Sequence, residues 1–149
     1  MATVGDAEWR LEVGRTRAAH RRRALPLTVN VGVPAGPRVT ATLPWPPPRE
    51  LDAGLRFDVV DAVLDQWLDQ WLDQSPDRGQ DDGPACAWTT RPGVPNLHDE
   101  DQLWHAAARH AFEAREVGLV TFRTVTHTGW LDVVTGESTT WRRLRLSAS

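Results

Sequence analysis

A four-residue unit recurs in mid-chain, as Leu64-Asp65-Gln66-Trp67, Leu68-Asp69-Gln70-Trp71 and Leu72-Asp73-Gln74. It sets two large Trp side chains one helical turn apart. In a helix of 3.6 residues per turn, a period of four drifts by about 40° per copy, so the later Leu and Trp stripes slide round the cylinder. The pattern predicts a helix that starts at 52 or 55 and ends at 74, before Ser75-Pro76. Val60, Val63, Leu64, Trp67, Leu68 and Trp71 fall on one face, and Asp58, Asp61, Asp65, Asp69 and Asp73 on another. The drift puts Trp67 in the core and leaves Trp71 and Leu72 on an exposed edge. Replication slippage at the DNA level would also produce such a repeat, so its regularity alone does not show selection.

The flanking segments read as strands and one further helix. Leu27, Val29, Val31 and Val33 alternate with Thr28, Asn30 and Gly32, and after Pro34-Ala35-Gly36-Pro37 the alternation resumes with Val39, Ala41 and Leu43. That is a hairpin over 25–43. Pro44-Trp45-Pro46-Pro47-Pro48 imposes an extended connector, because successive prolines fix φ and donate no hydrogen bonds. Residues 75–97 are rich in Pro, Gly and Asp and predict a long loop, interrupted at most by a short strand at 85–90. A second helix is expected over 99–116, with three acids in its first turn and Gly118 at its end. Its apolar face would be Leu103, Ala107, Ala111 and Ala114, flanked by Trp104. The C-terminal third reads as a three-stranded meander, 119–127, 130–134 and 139–146, with turns at Thr128-Gly129 and Thr135-Gly136. The expected fold is α+β: an antiparallel sheet built from the N-terminal hairpin and the C-terminal meander, with two amphipathic helices packed on it. Residues 1–24 would be a basic N-terminal arm and 25–149 a single α+β domain.

Composition narrows the class. The chain has 149 residues, 40% of them hydrophobic and 25% charged, which suits one globular domain. No apolar run approaches the roughly 20 residues of a membrane helix, and the N-terminal residues lack a signal-peptide pattern. The single cysteine, Cys86, precludes an intramolecular disulfide. A reduced, soluble, cytoplasmic protein is expected. Lys, Ile and Tyr are absent and all 17 basic residues are Arg, the signature of a bacterium with a GC-rich genome. Charge is segregated: residues 1–49 carry a net +5, residues 50–116 a net −10 and residues 117–149 a net +2. Such segments attract one another, within the fold or between copies.

Three groups of residues are candidates for a site. If both meander loops are two residues long, His127 faces Trp130 and Trp130 faces Trp141. One sheet face then carries Val120, Phe122, Leu131, Val133, Leu144 and Leu146, and the other Arg123, His127, Trp130, Asp132, Trp141, Arg143 and Arg145. Trp and Arg together suit a protein interface. They also suit stacking of single-stranded bases. The plainer alternative is a Trp pair that stabilises the sheet or is covered by another part of the chain. The second group, Arg15, Arg17, Arg21, Arg22 and Arg23 with His20, is dense enough to contact phosphates. It has no interleaved aromatics, so a solvated arm or a tether to an acidic partner fits better.

The third group is Asp101 and His105, whose i, i+4 spacing suits a shared metal and hence a small metal-dependent hydrolase. They also lie in line with Arg109 and Glu113, as in a surface ion ladder, and no third His or Cys supports them. His110 is expected to be partly buried. His98-Asp99 resembles the dipeptide that names the HD phosphohydrolases, but that fold is all-helical and the β-rich ends depart from it. Cys86 has no activating His in any motif. No Gly-rich phosphate loop, dinucleotide fingerprint or nucleophile elbow is present, and no cofactor is expected. These features favour a non-catalytic protein–protein interaction or assembly subunit of a larger cytoplasmic complex, joined to a protein partner or to a second copy. Single-stranded nucleic-acid binding and metal-dependent hydrolysis are the alternatives.

Overall fold

The computed structural model describes residues 5–21, 24–74 and 85–141, excluding the side chains of 71–74 and 85. The elements in chain order are α1 (Asp6–Ala19), β1 (Leu27–Gly32), β2 (Arg38–Leu43), α2 (Ala53–Gln74), β3 (Ala85–Thr90), α3 (Asp99–Ala114), β4 (Leu119–Val125), β5 (Gly129–Asp132) and β6 (Ser138–Thr140). The class is α+β. No described helix is long and apolar enough to cross a membrane.

The hairpin forms where the alternation places it, with Leu27 opposite Leu43 and Val31 opposite Val39. The sheet it joins is not wholly antiparallel. Its order is β2-β1-β3-β4-β5-β6, and β3 runs antiparallel to β1 but parallel to β4. A parallel pair needs a crossover, which α3 supplies. The short strand expected at 85–90 forms with those bounds and joins the two halves of the sheet. Residues 86–90 are all buried. A strand covered on both faces loses the polar–apolar alternation by which half-buried strands are read.

Helix α2 lies over β1 and β2, and α3 over β3 and β4. Val60, Val63, Leu64 and Trp67 enter the main core with Val29, Val31, Phe112 and Phe122. Trp67 is therefore placed as the drift of the repeat requires. The acidic stripe of α2 is tied to the end of α3: Arg115 Nε donates to Asp61 at 2.7 Å, and Arg115 Nη1 to Asp65 at 2.8 Å. The hydrogen bond from Arg115 is the main cause holding the Asp61 carboxyl below its ordinary value. Helix α3 opens on a capping box, in which His98 Nδ1 accepts from the Glu100 N–H and Asp101 accepts from the His98 N–H. Its apolar stripe is rotated from the expected one. Trp104, Ala107, Ala108, Ala111 and Phe112 are buried, whereas Leu103, Ala114 and His110 are exposed. The large Trp104 ring, rather than Leu103, occupies the groove over the sheet.

The meander is slipped by two residues at each turn. Val125 faces Trp130, and Trp130 faces Thr139. The first turn lies at His127-Thr128, closed by the Thr126 N–H to the Gly129 carbonyl. The second is a four-residue loop, Val133 to Gly136, closed by the Asp132 N–H to the Glu137 carbonyl. A slip of one residue would have exchanged the faces; a slip of two preserves them. Phe122 and Trp130 accordingly enter opposite cores.

The segment expected to be a solvated arm contains α1, which packs on the face of the sheet opposite α2 and α3. Trp9 and Val13 are fully buried there with Cys86, Trp88, Val125 and Trp130, forming a second core. Only these two large apolar side chains of α1 turn inward among Arg and Glu, so the helix reads in sequence as a charged tail.

Candidate functional site

The Trp/Arg face is the underside of α1. The Trp9 ring meets Trp88 edge-on, with centroids 5.7 Å apart at 88°. The Arg123 guanidinium lies between two indoles, 3.8 Å from the Trp130 centroid and 4.9 Å from that of Trp9. The Arg38 guanidinium lies over the Trp88 ring, 4.9 Å from its centroid. Edge-to-face pairs and cations over ring faces both follow the aromatic quadrupole. Burial lowers the Arg123 pKa, and the carboxylates of Asp132 and Asp6 partly offset that. They lie 3.8 and 3.9 Å from its nitrogens. The buried Cys86 thiol is pushed up to about 11, chiefly by burial, so at neutral pH it is a protonated packing group.

Arg123 and Trp130 thus come together as expected, but in an interior stack rather than an open platform. His127 lies in the β4–β5 turn, and its carbonyl accepts from Arg17 Nε at 2.6 Å. Arg17 Nη2 also donates to the Trp141 carbonyl at 3.1 Å, and Arg10 lies over the Trp141 ring at 5.8 Å. Arg17 therefore clips α1 to two strand ends instead of reaching for a partner. Arg15 and Arg21 are exposed. Arg22, Arg23, Arg143 and Arg145, and the side chains of Trp71 and Leu72, lie outside the described residues.

The metal candidates are committed elsewhere. The buried Asp101 carboxylate receives Arg91 Nε at 2.8 Å and Arg91 Nη2 at 2.9 Å, as well as Thr124 Oγ1 and the His98 N–H. Four donors saturate it. It is therefore no member of a surface ladder. His105 tilts against Phe122, with ring centroids 5.3 Å apart. Among the described residues no group of three His, Cys, Asp or Glu side chains has the arrangement to hold a metal ion.

His105 and His127 share a consequence. Burial is the first cause lowering both imidazole pKa values, joined by Arg109 at His105, and by His20 and Arg17 at His127. Below about pH 6.5 the unfolded chain binds protons at these sites that the folded chain refuses. Their contribution to stability is full above that pH and is lost as pH falls through the folded values. The urea midpoint is expected to drop between pH 7.5 and 5.5, and the His105→Gln/His127→Gln variant to flatten that slope. An unchanged slope in the variant would assign the acid sensitivity to other groups.

Two features were not legible in the sequence. The first is the free side of β2. Val33 N donates to the Pro37 carbonyl at 2.8 Å, which fixes the hydrogen-bonding phase of the hairpin. Val39, Ala41 and Leu43 then exchange bonds with β1, and the N–H and C=O groups of Arg38, Thr40 and Thr42 point away from the sheet. No described strand pairs with that edge. Beside it runs one flank of α2. Since Asp61 and Asp65 reach Arg115 on the α3 side, the opposite flank carries Val59, Ala62 and Gln66, none of them charged.

The second is a cavity of about 330 Å³ between the C-terminal half of α1 and strands β2, β1 and β3. Thr28, Asn30, Thr40 and Thr90 form its floor, and Glu12, with both carboxylate oxygens on Arg38, closes one wall. The polar alternation Thr28, Asn30, Thr40, Thr42 on one face of the hairpin was the available signal for it. No family model, no curated protein and no solved structure matches the chain.

Proposed function

We propose that the protein is a non-catalytic interaction and assembly subunit of a cytoplasmic complex, which joins to a second copy of itself along β2. The observation that carries this reading is the six-residue edge of β2, which no described strand pairs with. Natural sheets blunt such edges with charges, proline or bulges, and from Val39 to Leu43 β2 has none of these. Antiparallel pairing centred on Thr40 would set Thr40 opposite its symmetry mate and Arg38 opposite Thr42, so no like charges would meet. A two-fold axis perpendicular to the sheet would also bring the two uncharged α2 flanks side by side. The interface would be isologous and closed.

Light scattering after size exclusion tests this reading. The wild type is expected at about twice the 16.6 kDa chain mass. Thr42→Pro removes an outward N–H without removing a β1–β2 bond, and is expected to give monomer. Thr42→Val keeps the N–H and is expected to remain a dimer. A monomeric wild type at high micromolar concentration would sink the proposal.

A further inference from the structure

We infer that the cavity beneath the C-terminal half of α1 binds a small phosphorylated sugar, with its anionic group at Arg15 and its ring hydroxyls on the Thr/Asn floor. The argument begins with α1. Positions 9, 13, 16 and 20 form the stripe turned toward the sheet. Trp9 and Val13 fill the first half of that stripe and seal the second core. Thr16 and His20 occupy the second half, and there the helix and the sheet part around open space. The sheet changes character at the same place: Trp88 and Trp130 lie under the sealed half, and Thr28, Asn30 and Thr90 under the open half. Thr16, Asn30 and Thr90 are buried. Polar groups in such positions cost free energy unless something satisfies them.

Within the floor the polar side chains satisfy one another, and the pattern of those bonds sets what the surface offers a ligand. Thr40 Oγ1 donates to Asn30 Oδ1 at 2.7 Å, and Asn30 Nδ2 donates to Thr28 Oγ1 at 3.0 Å. Thr28 and Thr90 share a bond through their hydroxyls, and Thr90 Oγ1 donates to the Pro26 carbonyl at 3.4 Å. The donors of the floor are spent within it, and the lone pairs that remain on its hydroxyls are acceptors. A ligand rich in hydroxyl donors matches that surface.

The charge is equally specific. Glu12 and Arg38 neutralise each other, with Arg38 further held over Trp88. Arg15 lines the mouth, is exposed, and has no carboxylate partner among the described residues. The rim therefore offers one guanidinium without a carboxylate partner among the described residues, and His20 lines the same cavity, as groups for a phosphate. A volume of about 330 Å³ lies at the small end of ligand pockets, which run from about 300 to 1,000 Å³. That suits a pentose phosphate rather than a dinucleotide.

Isothermal titration of the full chain with ribose 5-phosphate, ribose and inorganic phosphate tests the assignment. Ribose 5-phosphate is expected to bind saturably, one per chain, with ribose and phosphate each weaker by about tenfold or more. Arg15→Gln alters an exposed side chain with no carboxylate partner among the described residues, and Thr40→Val removes the donor to Asn30. Circular dichroism of both variants therefore accompanies the titration to show that the fold is retained. Arg15→Gln is expected to weaken ribose 5-phosphate by about tenfold and leave ribose unchanged. Thr40→Val is expected to weaken both sugars. No saturable heat at millimolar ribose 5-phosphate, or full affinity in both variants, would overturn the inference. Phosphate binding as tightly as the sugar phosphate would mark a bare anion site and overturn the sugar assignment.

Discussion

Trp9→Ala is expected to lower the folding free energy by about 3–5 kcal/mol, the range for truncating a fully buried Trp. Trp9 is 0% exposed. Its removal takes away the edge contact with Trp88 and one of the two rings that sandwich Arg123. It leaves a largely desolvated guanidinium with a ring on one side only, so the loss includes a charge term as well as a cavity. What would still hold α1 is the Glu12 carboxylate on Arg38 and the Ala35 N–H, together with the Arg17 clip. Urea denaturation followed by circular dichroism measures the loss, and Trp9→Phe should recover most of it. Limited proteolysis in the absence of denaturant is expected to cut the variant first within residues 6–19. A loss below about 1 kcal/mol would show that α1 only rests on the sheet. Its charge pattern alone suggests that weaker attachment.

Asp101→Ala is expected to destabilise by a similar amount, about 3–5 kcal/mol, through a different mechanism. Arg91 is buried, with its side chain 4% exposed, and loses both carboxylate contacts at once. Arg91 also donates to the carbonyls of Pro92, Val94 and Asn96. The pair therefore knots the end of β3, the loop that follows and the first turn of α3 into one cluster, with Thr124 of β4 as its fourth member. Asp101→Asn keeps the volume but strands the same cation, and is expected to be nearly as damaging. Arg91→Met combined with Asp101→Leu removes both charges and is expected to be far milder than the sum of the single changes. A double-mutant cycle that came out additive would refute the coupling.

Legibility in the sequence followed how cleanly each element alternates. The hairpin and α2 carry strong periods and lie where those periods place them; α3 forms where expected, but with its buried stripe rotated onto Trp104 and Phe112. The faces of the meander were legible although its register was not. Register had been tied to Gly129 as a turn residue with cheap positive φ. Gly129 instead lies inside β5, where a Cβ would run into the backbone of Thr139, so the glycine serves close approach, and the turn falls one residue earlier, which shifts the pairing by two. The bounds of β3 were legible at 85–90, but its central place and its parallel partner were not, because burial on both faces erases the alternation that marks a sheet strand. The helix α1 escaped because only Trp9 and Val13 of its large apolar side chains face inward. At the candidate site, parity alone brought Arg123 to Trp130. That α1 covers them was beyond reach, since nothing local to residues 6–19 says which surface Trp9 will find.

The central place of β3 shapes how the chain reaches its fold. The β1–β2 hairpin and the β4–β6 meander are each assembled from neighbours in sequence, and both can form early. They become one sheet only when β3 enters between them. Its contacts with β1 span 58 residues, as between Asn30 and Trp88. Closing a loop of that length costs entropy before any ladder bond or buried Trp repays it. The docking of this six-residue strand is therefore expected to be the slow step of folding, at a rate typical of sheets built on distant pairings rather than of hairpins, which stopped-flow refolding would measure.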